Sequence, residues 1–310
     1  MVKAQSMVKN HKRSLYKMRN QFLDFSCAIP ALIFFVLFTY YPIIELCRIS
    51  LTNWNLMKPQ YDYVGLKNYI WLFKGGAGTR RMLSSMKVTV LYTIADVGCT
   101  CIFGLLLALL FNRMTRSFKI MRTIVILPKY VTMSASALVF LWIYNADYGI
   151  LNVVYESFGM QPIDWLGESE TALLAVIMYA AWRSLGYAMM IYLSAIKGLN
   201  QDYFEAASLD GANGFQKFAH ITVPLIAPTT LFLGVTSFLA SMKVFQTIDL
   251  LTSGGPYETT NAMVYYIYDL AFGSYRIDRA SALSIVFFII LLILTMLTMR
   301  VSDNRVNYDA

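Results

Sequence analysis

Long apolar segments alternate with shorter polar ones along this chain. A helix of about 20 apolar residues crosses a bilayer core, and six segments reach or approach that length. They are residues 25–44, 88–111, 124–144, 172–196, 225–242 and 282–299. Because lipid offers no hydrogen-bond partners to an open backbone, each segment is expected to be a helix. The pattern predicts an all-α integral membrane protein with six transmembrane helices.

A seventh apolar run, residues 263–272, is too short to span a bilayer. It is predicted to be a helix that lies at the surface.

Composition supports the membrane assignment. The chain is 57% hydrophobic and only 14% charged, with a mean hydropathy of +0.53. Soluble domains carry about 25% charged residues, so the polar surface here is too small for a water-soluble globule. The net charge is +8, but the charges lie between apolar runs and not on one basic face. They indicate basic cytoplasmic loops and exclude nucleic-acid binding.

The distribution of Lys and Arg predicts the orientation. If the N-terminus is inside, residues 1–24, 112–123, 197–217 and 300–310 are cytoplasmic and carry fourteen Lys and Arg, against nine in residues 48–87 and 276–279. This bias favours both termini in the cytoplasm. We therefore expect a basic cytoplasmic segment (1–24), a transmembrane domain (25–299) with a cytoplasmic loop at 198–223, and a cytoplasmic tail (300–310).

That cytoplasmic loop is rich in small residues. It contains Glu205, Ala206, Ala207, Asp210 and Gly211, and Ile221-Thr222-Val223-Pro224 follows. Little side-chain bulk leaves the backbone open to close approach by another protein. A simple connection between two membrane helices needs no such pattern, so the loop is predicted to be a contact surface for a partner.

These residues resemble a known family, the membrane-spanning permease subunits of binding-protein-dependent carbohydrate ABC importers. The family's signature is Glu-Ala-Ala, three residues, Gly, nine residues and Ile-x-Leu-Pro, and Val223 is the one departure from it. Further similarity lies in Leu127-Pro128, in Trp182 with Gly186-Tyr187, and in residues 250–256, which are similar to the outer loop of the maltose-type first permease subunit. The resemblance implies the type I ABC importer permease fold.

The resemblance also implies partners. The 205–211 segment would be a coupling helix that docks on an ATP-hydrolysing subunit, with Asn200 suited to its N-cap and Gly211 to its end. Two such cytoplasmic subunits, a companion permease forming a heterodimer, and an extracellular solute-binding protein are expected, in a bacterial cytoplasmic membrane. This chain is expected to be non-catalytic and to hold no cofactor, since Gly75-Gly76-Ala77-Gly78-Thr79 lacks the ending of a phosphate loop. ATP and Mg would bind to the partner subunits.

Substrate and docking positions follow from the same resemblance. The docking site for the binding protein is expected around Gly254, Gly255 and Pro256. The expected substrate pathway follows the Leu-Pro of span three, the Trp of span four and the part of span five before that loop: Lys129, Met133, Arg183, Ser184, Tyr187, Ser237, Ala240, Ser241 and Val244.

Ionisable residues within spans are costly and are therefore functional candidates. Asp96, Lys129, Arg183 and Lys243 are such residues, with Asp249 close by; they either line the pathway or pair with one another. Two cations on the expected path favour an oligosaccharide that contains acidic sugars, because Arg binds carboxylate in a bidentate manner. Glycerol phosphate fits the cations equally well, and polyamines fit poorly. An integral-membrane enzyme acting on lipid-linked sugar is the alternative from another class.

Overall fold

The computed structural model describes residues 28–112 and 116–303. The basic N-terminal segment and most of the C-terminal tail lie outside these residues. Within them the chain is helical, and the only strand-like pairing is an isolated antiparallel bridge between Thr52 and Tyr63. The helices are α1 Ala28–Ser50, α2 Lys67–Phe73, α3 Ala77–Leu110, α4 Arg116–Tyr130, α5 Met133–Ile143, α6 Ile150–Ser157, α7 Ala172–Lys197, α8 Gln201–Leu209, α9 Gly214–Leu225, α10 Ala227–Ser241, α11 Gln246–Leu251, α12 Met263–Tyr268 and α13 Ile277–Asp303.

Four of these helices, α1, α3, α7 and α13, are individually long and apolar enough to cross a membrane. Two further pairs meet the same test together but are bent, α4 with α5 by 103° and α9 with α10 by 62°. The described residues therefore contain up to six spans, if each bent pair counts as one. The all-α membrane architecture expected from the apolar pattern is confirmed.

The second predicted span is longer than its apolar core. Helix α3 begins at Ala77 and runs for 34 residues, whereas the apolar run begins at residue 88. At 1.5 Å per residue the helix is about 50 Å long, longer than a hydrocarbon core of about 30 Å. Its first turns carry Arg80 and Arg81, which hydropathy alone excludes from a span.

The third predicted span is two helices and not one, which is consistent with the proline inside it. Pro128 lies in the last turn of α4, the chain extends at Thr132 (ψ 142°), and α5 begins at Met133. Proline removes a backbone donor from the helix, which weakens the turn before the break. The break frees the Val131 carbonyl, which accepts a 3.0 Å hydrogen bond from Arg183 Nη1.

The prediction of a surface helix at residues 263–272 is wrong. Met263 and Tyr266 of α12 are fully buried, and Leu270 and Ala271 in the following π-helical turn, Asp269–Gly273, are nearly so. They form a core with residues of α3 and α13 that includes Leu283. A short apolar run has the same pattern in a buried helix as in a surface one, and here tertiary packing decides.

The central helices approach one another at small residues. A Cβ added at Gly104 of α3 would lie 2.7 Å from the Ala188 Cβ of α7, and one at Gly186 would lie 2.1 Å from the Val125 carbonyl oxygen of α4. Small residues allow this close packing in membrane helices. The packing fixes α7 between α3 and α4, which places the side chains of its middle turns beside the break between α4 and α5.

Candidate functional site

A cavity of about 360 Å³ lies where α3, α7, the α4–α5 break and the α10–α11 connection meet. Most of the predicted pathway residues line it: Lys129, Met133, Arg183, Ser184, Ala240, Ser241 and Val244. Tyr187 and Ser237 are not among its lining residues. The bends in the chain thus bring together side chains from three of the predicted spans.

Arg183 is held at the break between α4 and α5. Its Nη1 donates to the Val131 carbonyl at 3.0 Å and to Ser136 Oγ at 2.8 Å. Ser136 also lies 2.8 Å from the Tyr179 hydroxyl, and the Arg183 guanidinium carbon lies 6.0 Å from the centre of the Tyr179 ring. These contacts position the guanidinium at the cavity wall and leave its other N–H groups for a ligand.

Asp96 of α3 faces Ser241 of α10. Ser241 Oγ donates a 2.5 Å hydrogen bond to Asp96 Oδ2, and both residues are buried. Asp96 Oδ1 has no hydrogen-bond partner among the described residues. Among the described residues Asp96 therefore pairs with a hydroxyl group and not with one of the cations.

Lys129 is exposed at the end of α4. Its Nζ lies 5.4 Å from the centre of the Tyr187 ring, which is within the range of a cation–π contact. Tyr187 thus contacts a residue of the cavity wall without lining the cavity itself. Ser237 contributes its carbonyl oxygen to Ser241 Oγ at 2.8 Å.

The charge around the cavity is unbalanced. Lys129, Arg183 and Lys243 line it with one carboxylate, Asp96, whose Oδ2 already accepts from Ser241. Among the described residues none of these three cations forms a salt bridge. An anionic ligand would therefore find more positive than negative charge in a site partly shielded from water, where such charges act strongly.

The predicted cytoplasmic loop, residues 198–223, forms α8 and most of α9, and the coupling residues 205–211 lie in and just after α8. Asn200 Oδ1 accepts from the Asp202 amide at 3.1 Å and caps α8, as expected. Gly211 follows the helix with φ +78°, the conformation expected at its end. No residue of α8 is buried, and Leu209 is 90% exposed. Glu205, Ala206 and Asp210 are exposed as well, so the segment presents both apolar and acidic groups.

The Gly254-Gly255-Pro256 segment lies in a loop with several left-handed residues. Gly254 has φ +80°, and Ser253, Tyr257 and Glu258 have φ of 47°, 48° and 64°. The Glu258 carboxylate pairs with the Arg81 guanidinium of α3, and Thr252 and Thr260 are hydrogen-bonded across the loop at 2.7 Å. The loop is thereby fixed to the first turns of α3 while Tyr257 remains 92% exposed.

Several cavity residues were not predicted as pathway positions. Tyr92, Gln246 and Thr247 also line the cavity, and Ser136 with Tyr179 holds Arg183. Asp96 and Lys243 carried a signal in the sequence, since both are ionisable residues in or beside a span. The others are ordinary polar and aromatic residues, and the packing of α3, α5, α7 and α11 against one another brings them to the site.

Comparison with known proteins agrees with this architecture. Residues 101–308 match the family model described as the inner membrane component of binding-protein-dependent transport systems. This chain belongs to that family, which confirms the resemblance seen in the coupling segment. It is an apolar helical component of a transport system.

Individual relatives extend the similarity over nearly the whole chain. A probable ABC transporter permease protein, YurN of Bacillus subtilis, is 34% identical over 91% of this chain and 96% of its own length. The trehalose/maltose transport system permease protein MalF of Thermococcus litoralis is 30% identical over 96% and 99%. The sn-glycerol-3-phosphate transport system permease protein UgpA of Agrobacterium fabrum is 29% identical over 93% and 97%.

A solved structure matches the fold as well. A chain of a bacterial ABC transporter involved in the import of the acidic polysaccharide alginate has a TM-score of 0.82 and 25% identity, over 94% of this chain and 99% of that one. A second structure, of an alginate ABC transporter with a periplasmic protein that carries an alginate pentasaccharide, matches with a TM-score of 0.79. The fold is that of ABC importer permeases.

Proposed function

We propose that this chain forms half of the translocation pathway of an ATP-driven oligosaccharide importer whose cargo contains acidic sugars. One observation carries the proposal. The cavity beside the broken helix is lined by Lys129, Arg183 and Lys243 but by a single carboxylate, Asp96, which is engaged by Ser241. Carbohydrate cargo is supported by the maltose and alginate systems among the similar proteins, and acidic cargo by the alginate system.

The arrangement of cations suits a uronic acid. Arg183 is held at Nη1 by Val131 and Ser136, so its remaining N–H groups are pre-oriented to bind a carboxylate. Lys129 adds a second positive charge on the same wall. Ser184 supplies a hydroxyl group for sugar oxygens, since the Ser241 hydroxyl is already bonded to Asp96. A cavity of about 360 Å³ is at the small end of ligand pockets, as expected if a companion permease supplies the opposite wall of the pathway.

The energy for transport would come from other chains. In this proposal two cytoplasmic subunits bind ATP and Mg, and α8 docks on one of them through Glu205, Ala206, Ala207, Asp210 and Gly211. An extracellular solute-binding protein docks at the loop around Gly254, Gly255 and Pro256. The absence of buried residues from α8 and the fixed outer loop support these two contact surfaces.

The topology follows from the same assignment. Each bent pair is taken as one span, so that six spans cross the cytoplasmic membrane of a bacterium and both termini are cytoplasmic. The α4–α5 break near Pro128 lies at the cavity, and α10, which follows the second break, reaches the cavity at Ala240 and Ser241. Discontinuous helices of this kind bind substrates in other transporters. ATP binding would move α8, and the spans would rock to open the cavity alternately to the two sides.

Uptake by whole cells tests the proposal with every partner present. The natural host with this gene deleted is complemented with wild type, Lys129→Ala or Arg183→Lys, and uptake of alginate trisaccharide is compared with that of maltotriose. We expect wild type to favour the acidic trisaccharide. Lys129→Ala should reduce its uptake by about tenfold or more, since a charge-assisted bond contributes about 1.5–3 kcal/mol. Equal uptake of both sugars, unchanged in Lys129→Ala, would overturn the acidic-cargo proposal.

Glycerol phosphate is the second candidate, because its phosphate would also bind the cations and a UgpA protein is 29% identical. The same cells are given sn-glycerol 3-phosphate. If wild-type cells take up this compound and neither trisaccharide, glycerol phosphate replaces the oligosaccharide as the assigned cargo. Loss of that uptake in Lys129→Ala would show that the cationic site binds it.

A further inference from the structure

Four aromatic side chains form a continuous row that starts at the cavity. Phe245, in the α10–α11 connection, lines the cavity. Its ring centre lies 6.1 Å from that of Tyr265 and 5.0 Å from that of Tyr268, and the Tyr268 ring centre lies 5.2 Å from that of Phe272. The Tyr265 and Tyr268 ring centres are 6.2 Å apart. Each ring therefore contacts the next.

The contacts of α12 with α3 show where the row leads. The Met263 amide donates to Thr89 Oγ1 at 2.9 Å, whereas the Tyr266 ring centre lies 5.2 Å from the Arg81 guanidinium carbon. The Asp269 carboxylate is 3.8 Å from the same guanidinium. Going from Thr89 to Arg81 is about 12 Å along α3, away from Asp96 and the cavity. The row thus runs from the cavity towards the first turns of α3.

One side of the aromatic row is exposed at the surface of the chain. Tyr268 is 41% exposed and Phe272 57% exposed, whereas Tyr266 on the same helix is fully buried. Helix α12 therefore has a core face and a separate face that carries the row. The Gly254 backbone packs on that row, because a Cβ added there would lie 2.5 Å from Tyr265 Cε1. The loop containing Gly254, Gly255 and Pro256 is thus in contact with the row.

We propose that this aromatic row binds the sugar rings of the cargo on their way from the outer loop to the cavity. The inference rests on the proposed function, since it needs a saccharide cargo. The apolar C–H faces of pyranose rings pack on aromatic faces, and rings in mutual contact offer successive sites to successive sugars of one chain. Such sites hold a sugar by shape and apolar area, so they let an oligosaccharide advance until its carboxylates reach Lys129 and Arg183.

Access to water is the first test, and it needs no cargo. Tyr268→Cys and Phe272→Cys are each expressed with the complete transporter in cells and treated with a membrane-impermeant methanethiosulfonate. Labelling of the wild-type transporter measures the background reaction of the native cysteines. Phe288→Cys in α13, at a position 50% exposed on an apolar helix, is the matched control. Both row variants should react above wild type, while the control should not. Failure of both row variants to react would show that lipid or the companion permease covers the row and would overturn the proposal.

Dependence on cargo length is the second test. Uptake of alginate disaccharide and pentasaccharide is measured for wild type, Tyr268→Ala and Tyr268→Phe, with the malto-oligosaccharides of the same lengths in parallel. Tyr268→Ala should raise the half-saturating concentration of the pentasaccharide by about two- to tenfold and affect the disaccharide less, because a lost stacking contact costs about 0.5–1.5 kcal/mol. Tyr268→Phe keeps the ring and should restore most of the pentasaccharide uptake that Tyr268→Ala loses.

The outcomes separate this inference from the proposed function. An equal loss for both lengths, or a loss of the companion permease on purification of Tyr268→Ala, would assign the row to subunit contact and overturn the inference. If wild-type cells import neither the alginate oligosaccharides nor the malto-oligosaccharides, the proposed saccharide function is wrong. The inference about the row then fails with it, whatever the labelling shows.

Discussion

Ser241 on α10 and Asp96 on α3 are joined by a 2.5 Å hydrogen bond between Ser241 Oγ and Asp96 Oδ2. The two residues are far apart in sequence and both are buried. The bond ties the helix before the α10–α11 connection to a continuous span. It also occupies the single carboxylate of the cavity, so it both fixes the wall and keeps that carboxylate in place among three cations.

Ser241→Ala should destabilise the protein. The substitution leaves Asp96 without a hydrogen-bond partner in a buried position, and an unsatisfied buried group costs about 1–3 kcal/mol, or more when charged. Thermal unfolding of the purified complex is the measurement. Thr236→Ala, on the same helix, is the control, because Thr236 Oγ1 bonds only to the carbonyls of Phe232 and Leu233. Equal melting temperatures for the two variants would contradict the role given to the bond.

Arg183→Ala should reduce stability more than Lys129→Ala. The Arg183 guanidinium satisfies the Val131 carbonyl and Ser136 at the helix break, whereas Lys129 is exposed and contacts the Tyr187 ring. Breaking hydrogen bonds to a charged group costs about 1.5–3 kcal/mol. The measurement is the melting temperature of each variant, and uptake is measured in parallel. A stable Arg183→Ala that loses only uptake would show that Arg183 serves the cargo alone.

The apolar pattern predicted the membrane architecture because burial in lipid demands long apolar helices. Pro128 favours a broken helix in the third span, but the pattern could not predict the 103° angle between the two halves. Nor could it place residues 263–272, which have the same composition as a surface helix but pack between α3 and α13. In both cases the outcome depends on contacts with distant helices, such as Arg183 with Val131, that no local pattern contains.

Site residues were predictable where the chemistry is unusual for a membrane. Asp96, Lys129 and Arg183 are costly within a span and stand out for that reason. Ser136 and Tyr179 are common in membrane helices and gave no signal, although they position Arg183. Tyr187 lies one turn beyond Arg183 on α7 and contacts Lys129, whereas Ala180, Arg183 and Ser184 are the residues of α7 at the cavity.

Gly186→Ala should be destabilising even though alanine favours helices. A Cβ at this position would lie 2.1 Å from the Val125 carbonyl oxygen and 2.7 Å from the Ile126 Cα, so α4 would have to move. Overpacking of this kind costs about 1–3 kcal/mol, which exceeds the gain of about 1 kcal/mol in helix propensity. The measurement is thermal unfolding of the purified complex.

Gly98→Ala is the matched control for that experiment. Gly98 also lies in a long membrane helix, and a Cβ there meets nothing within 4 Å. This variant should unfold at or slightly above the wild-type temperature. Similar shifts in both variants would show that helix propensity, and not the contact between α7 and α4, governs these positions.

Gly211→Ala should weaken coupling to the ATP-hydrolysing subunits without disturbing the membrane domain. Gly211 has φ +78°, and an L-residue in the left-handed region costs about 1–2 kcal/mol. A Cβ at Gly211 meets nothing within 4 Å, so the effect would arise from the backbone and would change how α8 leads into α9.

Gly214→Ala is the control, since Gly214 begins α9 with an ordinary φ and equally open surroundings. We expect less ATPase subunit to co-purify with Gly211→Ala than with wild type or Gly214→Ala, at an unchanged yield of the permease pair. Full retention of the subunit by Gly211→Ala would show that docking tolerates another path for this turn.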